Sequence, residues 1–171
     1  MNVYNITQSQ RQRVEQYYSY MFYQKTNSTI LDFADLQDQL PASLVKEIIF
    51  HQNKELLSGM FKDFGSENLI KEVSAVLSTH IFLPEDYIIN KGEIGEEMYF
   101  IVQGSVCILA GDKQTVVARL SKGQYFGEIA IFYSIRRTSY VQSETFTIVN
   151  TLKKTDLDKI VKSFPLVAND M

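Results

Sequence analysis

The segment from Gly123 to Val141 contains residue types that can bind a small anion. It combines a glycine turn, the carboxylate of Glu128, a short apolar stretch and the pair Arg136-Arg137. If Glu128 to Phe132 forms one helical turn, its first N–H groups lack intrahelical acceptors and favour an anion. An arginine nine residues beyond Glu128 can return to the same place and bind a phosphate through two hydrogen bonds.

A carboxylate at this position cannot itself hold a phosphate, because both groups are negatively charged. Beside a phosphate site, Glu128 serves better as the hydrogen-bond acceptor for a sugar hydroxyl. A phosphate together with a ribose hydroxyl describes a nucleotide. The spacing alone is equally consistent with a surface glutamate and two solvated arginines, so both interpretations stay open at this level.

Other reactive residue types argue against an enzyme. Metal-dependent barrels need clustered His and carboxylate ligands on their strands, whereas His51 and His80 are the only histidines and both precede the predicted strands. Cys107 is the single cysteine, which excludes an internal disulfide and suits a reducing compartment. It lies in an apolar run and is predicted to be a core residue. We therefore predict a non-enzymatic protein without a metal ion or cofactor.

The composition is that of an ordinary globular domain. Of 171 residues, 45% are hydrophobic and 22% are charged, with a formal net charge of -3. This charge argues against nucleic acid as a partner, because binding to its backbone needs a concentrated excess of Lys and Arg. The apolar runs are only a few residues long and the first residues lack a signal-peptide pattern, which predicts a soluble chain.

Glycine and proline divide the chain into a helical part before Pro84 and a strand-rich part after it. Apolar spacing predicts helices over Thr7–Gln24, Pro41 to about Gly59, Ser66–Leu77 and Thr155–Phe164, with a short segment over Ile30–Leu40. In the second helix the predicted buried face is Val45, Ile48, Ile49, Gln52 and Leu56. In the last helix, Thr155 and Asp158 are the predicted capping pair.

Six short strands are predicted after Pro84, and several of them are separated by glycine turns. They cover Tyr87–Ile89, Met98–Val102, Val106–Leu109, Val116–Leu120, Ser139–Val141 and Phe146–Leu152. Short strands at this spacing favour an antiparallel barrel that closes on itself. The predicted fold class is therefore α+β: a helical segment, an antiparallel β jelly-roll barrel and a short final helix.

The anion-binding segment resembles the phosphate-binding cassette of cyclic nucleotide-binding domains. That pattern is F-G-E, an aliphatic residue and A-L, then a short spacer and an Arg followed by Ala or Thr. The runs Phe126-Gly-Glu-Ile-Ala-Ile131 and Arg137-Thr138 match it without insertion. Upstream, Gly92, Gly95 and Gly104 resemble the glycines among the family's first strands. The resemblance covers about residues 60 to 165.

The resemblance implies a role for each site residue, with cyclic AMP or cyclic GMP as the ligand. Arg137 would pair with the charge of the cyclic phosphate and Glu128 would accept from the ribose 2′-hydroxyl. Arg136 falls in the spacer and is expected to be a solvated surface residue. The residues implied at the cyclic phosphate are Gly127, Ile129, Ala130, Arg137 and Thr138. Those implied at the sugar and base are Phe126, Leu120, Ala118 and Ile108.

Within the family, the chain resembles the cytoplasmic C-terminal region of cyclic nucleotide-modulated cation channels. Arg11 to Tyr18, the Leu40-Pro41 turn and Leu44 to Ile49 resemble the C-linker that joins the pore to the binding domain. The implied organisation is a partial helical C-linker over residues 1–60 and a binding domain over 61–171. The lid helix that follows Pro165 in the family is expected to be absent or truncated, and the first C-linker helix to be missing.

The implied function is a cytoplasmic regulatory module of a voltage-gated or ligand-modulated cation channel, with potassium as the favoured ion. Its partners would be the transmembrane pore domain and, through the C-linker, further copies in a tetramer; the isolated fragment could be a monomer. One alternative is a non-binding assembly scaffold of an ether-a-go-go-like channel. Another is a binding domain of the kind in regulatory subunits of cyclic AMP-dependent kinase. A scaffold would not need both Glu128 and Arg137.

Overall fold

A computed structural model of the protein describes residues 7–27, 40–61 and 67–164. The chain forms two compact units, Met1–Val45 and Lys46–Met171. The boundary between them lies inside a helix, and the boundary predicted between residues 60 and 61 stays a prediction. Within the described ranges, no helix combines the length and the apolar character needed to cross a membrane.

The first unit contains helix α1 (Gln8–Asn27) and the beginning of helix α2 (Ala42–Phe61). Helix α1 begins at Gln8 because Thr7 and Gln10 form a reciprocal cap. The Gln10 Oε1 accepts from the Thr7 backbone N–H at 2.9 Å, and the Thr7 hydroxyl accepts from the Gln10 N–H at 3.3 Å. At the start of α2, the carbonyl of Pro41 accepts from the N–H groups of Leu44 and Val45, so Pro41 lies immediately before the helix, one residue from its predicted position inside it. The predicted segment Ile30–Leu40 lies, except for Leu40, outside the described residues.

The second unit contains two four-stranded antiparallel sheets, in which the strand orders are β1-β8-β3-β6 and β2-β7-β4-β5. The strands are β1 (Ser78–Phe82), β2 (Tyr87–Ile89), β3 (Glu97–Gln103), β4 (Ser105–Leu109), β5 (Val116–Ser121), β6 (Tyr125–Phe126), β7 (Tyr140–Ser143) and β8 (Thr147–Lys153). The helices of this unit, besides α2, are α3 (Glu67–Val76), α4 (Glu128–Tyr133) and α5 (Lys154–Lys162). This arrangement confirms the predicted α+β fold with an antiparallel jelly roll.

Two strands were not predicted. Strand β1 lies before Pro84, where the sequence predicts helix, and pairs with β8 from Ser78 opposite Thr151 to Phe82 opposite Thr147. Its first three side chains are exposed, so the strand shows no alternation of apolar and polar residues. Strand β6 has only two residues and pairs with β3 at Tyr99 and Phe100. Such a short strand leaves no periodic signal.

Two predicted helix features are wrong. The buried positions of α2 are Phe50, Asn53, Leu57 and Phe61, one position along from the predicted face. The predicted capping pair at the start of α5 does not form, because β8 runs directly into the helix and Lys153 takes the N-cap position without a side-chain cap. Thr155 is therefore already inside α5, and Asp158 forms an ion pair with Lys154 at 3.7 Å. Ser66, the predicted first residue of α3, lies outside the described residues.

Two hydrophobic clusters form the core of the second unit. One joins the helices to the sheet and includes Leu57, Phe61, Leu69, Val73, Phe100, Ile131, Leu152 and Leu157. The other lies between the sheets and includes Ile89, Tyr99, Ile101, Val106, Phe126, Val141 and Val149. Burial of this apolar surface is the main force that holds the two sheets and the helices together.

A hydrogen-bond chain extends from the buried side chains of Asn53 and Asn150 to the exposed Thr79. The Asn150 side-chain amide donates to the Asn53 Oδ1 at 2.7 Å, and the Thr79 hydroxyl donates to the Asn150 Oδ1 at 2.9 Å. The Asn53 amide donates to the Ile49 carbonyl at 3.0 Å. This chain joins α2 to β8 and β1, and it satisfies buried polar groups that would otherwise be costly.

Candidate functional site

Helix α4 is bordered on each side by a residue in the left-handed backbone conformation. Strand β6 ends at Phe126, and Gly127 (φ 84°) turns the chain into Glu128–Tyr133. Ser134 (φ 52°) ends the helix. A Cβ on Gly127 would lie 2.8 Å from the Arg137 Nη1, so the position requires glycine both for its φ and for space. The short helix predicted from Glu128 is therefore present.

The guanidinium of Arg137 is buried, with only 7% of the residue exposed. Its Nη1 donates to the Gly127 carbonyl at 2.9 Å and its Nη2 donates to the Glu97 carbonyl. It lies over the ring of Tyr99, with 5.8 Å between Cζ and the ring centroid. These contacts fix the position of the guanidinium before any ligand binds.

No carboxylate neutralises this guanidinium among the residues that the structure describes, because its two partners are backbone carbonyls. A guanidinium has five N–H donors, so three remain for another group. A buried cation without a counter-ion is unfavourable, and an anion that reaches the free donors removes that cost. The chemistry of Arg137 is therefore that of an anion site.

Arg137 borders a cavity of about 280 Å³, close to the lower end of the range of about 300–1,000 Å³ for small-molecule sites. One end of the cavity is formed by the segment from Gly127 to Ala130, and its walls include apolar side chains of both sheets. The lining residues are Ile89, Ile108, Leu120, Tyr125, Phe126, Gly127, Glu128, Ile129, Ala130, Arg136, Arg137, Thr138, Ser139 and Val141.

The carboxylate of Glu128 belongs to the same cavity. The residue is partly buried at the first position of α4. It forms no hydrogen bond or ion pair with any other described residue, so both of its oxygens are available as acceptors. The cavity therefore combines a cation, a free acceptor and an apolar wall.

Nine of the ten predicted site residues line this cavity, and Ala118 does not. Ala118 is paired opposite Ile108, two residues from Leu120 on the same face of β5. Its methyl group is too short to reach the cavity that the longer side chains of Ile108 and Leu120 border. The roles assigned to the ten residues stay predictions.

Five lining residues were not among the predicted site residues: Ile89, Tyr125, Arg136, Ser139 and Val141. Ile89 and Val141 are partners across β2 and β7, and Ser139 precedes Val141 by two residues. Alternation along β7 could have suggested these positions. Arg136 is exposed as expected, but its Nη1 donates to the Gly92 carbonyl at 2.8 Å and the side chain lies at the cavity.

Tyr99 forms a neutral support beneath Arg137. Burial, followed by the charge of Glu97, raises the pKa of Tyr99 to about 12. The ring stacks on Phe126 with 5.0 Å between centroids, and the hydroxyl donates to the Glu97 Oε2 at 3.2 Å. At neutral pH the phenol is therefore uncharged and leaves the positive charge of Arg137 unneutralised.

The other reactive groups lie outside the cavity. Cys107 is buried, as predicted, and burial raises the pKa of its thiol. In the parts of the chain that the structure describes, no three His, Cys, Asp or Glu side chains are grouped so that they could hold a metal ion. The cavity is thus suited to binding an organic anion through arginine and backbone groups.

Comparison with known proteins identifies the same region. A family model described as "Cyclic nucleotide-binding domain" matches residues 79–164, which include the whole cavity. The human protein named cyclic nucleotide-gated channel beta-1 is 34% identical over 170 residues, which cover 96% of this chain and 13% of that protein.

Two other relatives show the same extent of similarity. The rabbit potassium/sodium hyperpolarization-activated cyclic nucleotide-gated channel 4 is 30% identical over 169 residues, covering 98% of this chain and 14% of its own length. The chicken cyclic nucleotide-gated channel rod photoreceptor subunit alpha is 31% identical over 173 residues, covering 96% of this chain and 26% of its own length. The chain thus corresponds to a minor part of each relative.

Proposed function

The chain belongs to the cyclic nucleotide-binding domain family, and on that premise we propose that its cavity binds cyclic AMP or cyclic GMP. The observation that carries the proposal is the buried Arg137 guanidinium, which is held by two carbonyls and has donors left for an anion. A cyclic phosphate carries one negative charge, which matches this single buried cation. The backbone of Gly127, Ile129 and Ala130 completes the phosphate site.

The ribose lies next to Glu128 in this proposal. The carboxylate accepts a hydrogen bond from the 2′-hydroxyl, and it has no competing partner among the described residues. A charged acceptor strengthens such a bond. Glu128 thereby selects ribonucleotides over 2′-deoxy analogues.

The base and the sugar ring contact the apolar wall. Ile108, Leu120 and Phe126 supply this wall, together with Ile89 and Val141. Such contacts favour any purine and distinguish adenine from guanine weakly. Thr138 and Ser139 also line the cavity, and their hydroxyls can form hydrogen bonds with a base directly.

We further propose that the chain is a non-enzymatic regulatory module on the cytoplasmic side of a cation channel. The relatives that support this are named as cyclic nucleotide-gated channels, and one of them as a potassium/sodium channel. The helical residues before the barrel then act as a partial C-linker to a transmembrane pore, with tetramer assembly through that segment. A ligand biases such a pore only through its different affinity for the two channel states.

Potassium selectivity is the most specific part of this proposal, and the relative named as a potassium/sodium channel supports it. A non-binding scaffold is the competing function, as is a kinase-type regulatory domain. The presence of both Glu128 and Arg137 at one cavity favours a binding module over a scaffold.

Calorimetric titration of the chain tests the proposal. Cyclic AMP and cyclic GMP are each compared with the corresponding 5′-monophosphate, which has the same base and ribose but a dianionic, open phosphate. We expect saturable binding of one ligand per chain for the cyclic forms and weaker binding for the open forms. Absence of saturable binding by either cyclic nucleotide at millimolar concentration would instead favour the scaffold.

A further inference from the structure

Lys154 connects helix α5 to the C-terminal end of helix α4. Its Nζ donates to the Ile131 carbonyl at 2.7 Å, and its backbone N–H donates to the Glu96 carbonyl at 2.8 Å. Ile131 is among the last four residues of α4, whose carbonyls have no intrahelical donor. A lysine at that place supplies the missing donor and complements the negative end of the helix.

The position of Lys154 is not explained by the stability of its own helix. It is the first residue of α5, where a cation interacts unfavourably with the helix dipole. Its ion pair with Asp158 is long, at 3.7 Å, and has the less favourable order of a basic residue four positions before an acidic one. The short contact to Ile131 therefore accounts for this lysine better than any contact within α5.

Helix α4 links that contact to the cavity. The left-handed residues Gly127 and Ser134 border its six residues, so the helix begins and ends at a sharp change of backbone direction. Arg137 donates to the carbonyl at the first border, and Lys154 donates to the carbonyl of Ile131 near the second. Three residues between these two contacts, Glu128, Ile129 and Ala130, line the same cavity as Arg137.

We propose that Lys154 is a positioning residue for the cavity. Its ammonium holds the far end of α4, so that the cavity-lining end of the same helix stays in the geometry that an anion needs. Lys154 does not line the cavity and acts only through α4. The identity of the ligand in this inference rests on the proposed function; the contact between the two helices does not.

The test compares Lys154→Met and Lys154→Arg with Lys159→Met in the whole chain. Methionine keeps the apolar stem and removes the charge and the donors. The packing between the helices is retained in this variant, because Ile131 and Leu157 belong to the same buried cluster. Lys159 is the matched control, since it lies on the same helix and pairs with Asp156 at 3.1 Å, an exposed contact within α5.

Two quantities are measured for each variant: hydrogen exchange of the α4 amides without ligand, and the dissociation constant for whichever of cyclic AMP and cyclic GMP the unmodified chain binds more tightly. In Lys154→Met we expect faster exchange confined to α4 and a dissociation constant raised by about threefold to tenfold. Lys154→Arg should have an exchange rate in α4 and a dissociation constant close to those of the unmodified chain, because arginine keeps the charge and a donor. Lys159→Met should match the unmodified chain.

The outcomes separate this inference from the proposed function. If the unmodified chain binds neither cyclic AMP nor cyclic GMP but Lys154→Met still loosens α4, the proposed ligand is wrong and the positioning of α4 stands. If exchange in α4 and the affinity are both unchanged in Lys154→Met, the inference is wrong. Equal effects of Lys154→Met and Lys159→Met, or a uniform rise in exchange over the whole chain, would also overturn it.

Discussion

Gly95 packs directly against the guanidinium of Arg137. A Cβ on Gly95 would lie 3.0 Å from both the Cζ and the Nε of Arg137, and it would overlap the Cβ of Ala130. A Cβ on the second glycine, Gly127, would lie 2.8 Å from the Arg137 Nη1. The guanidinium therefore occupies a slot that exists because two residues have no side chain.

Gly95→Ala is expected to displace Arg137 and α4. Overpacking of this kind costs about 1–3 kcal/mol of stability, and the shift of the guanidinium should lower the affinity for the cyclic nucleotide as well. Thermal unfolding and calorimetric titration measure the two effects. Gly59→Ala is the control: nothing lies within 4 Å of its Cβ, and alanine in α2 should stabilise the chain by about 0.5–1 kcal/mol.

Arg137→Ala should weaken ligand binding more than any other single change at the cavity. A hydrogen bond to a charged group contributes about 1.5–3 kcal/mol, so the dissociation constant should rise by about tenfold to a hundredfold or more. Circular dichroism checks that the barrel still folds. Arg119→Ala removes the same charge from an exposed pair with Glu144 and should leave the affinity unchanged; a comparable loss there would contradict the assignment of Arg137.

Arg136→Ala should have a smaller effect than Arg137→Ala. The Arg136 side chain is exposed and lies at the rim of the cavity, where water and salt screen its charge. Titrations at low and high salt compare the two variants. Equal losses of affinity at both salt concentrations would mean that the phosphate contacts Arg136 as closely as Arg137.

Glu128→Gln should reduce the discrimination between cyclic AMP and its 2′-deoxy analogue. An amide oxygen still accepts a hydrogen bond, so the loss of affinity should be smaller than that of Arg137→Ala, but the bond to the 2′-hydroxyl loses its ionic part. The measurement is the ratio of the two dissociation constants in each protein. A ratio that does not change would remove Glu128 from the ribose site.

Thr138→Ala tests the choice of base. Thr138 is exposed and lines the cavity, and we expect its hydroxyl to reach a guanine amino group if the base is turned over the ribose. We expect the unmodified chain to bind both nucleotides within about tenfold of each other, and the variant to lose affinity for cyclic GMP only. If both nucleotides lose affinity equally, the hydroxyl supports the phosphate or the strand instead of the base.

Cys107 should react slowly with thiol reagents in the folded chain. Its pKa is raised, first by burial and then by a hydrogen bond with Glu144, so the reactive thiolate is scarce near neutral pH. Because it is the single cysteine, the absorbance of the reagent reports on this site alone. The rate should increase sharply in denaturant; a fast reaction in buffer would show that the strand opens readily.

The sequence was sufficient to predict the lining residues of the cassette, because they lie close together along the chain. Phe126 to Ala130 and Arg137 line the cavity and are joined by one short helix and one turn, so local spacing determines their geometry. The contribution of Ile89 could not be predicted in this way. It depends on the pairing of β2 with β7, which are separated by about fifty residues and whose register is interrupted between Tyr87 and Ile89.

Strand β1 and the face of α2 were predicted incorrectly for a related reason. The strand is exposed over Ser78–His80 and is stabilised by its ladder with β8, so tertiary pairing overrides a weak local pattern. In α2, a polar residue, Asn53, occupies a buried position because Asn150 satisfies its side chain. A prediction that places apolar residues inside cannot anticipate such a partner.

The bond between Asn53 and Asn150 also limits how α2 can respond to a force. A tilt or slide of the helix by a fraction of a turn would separate two buried amides before either could find water, and the free energy would rise steeply. An apolar contact, in contrast, tolerates gradual sliding. Helix α2 should therefore keep its position on β8 under small forces and transmit them without sliding. Under a larger force the hydrogen bond should break and the helix should move in one discrete step.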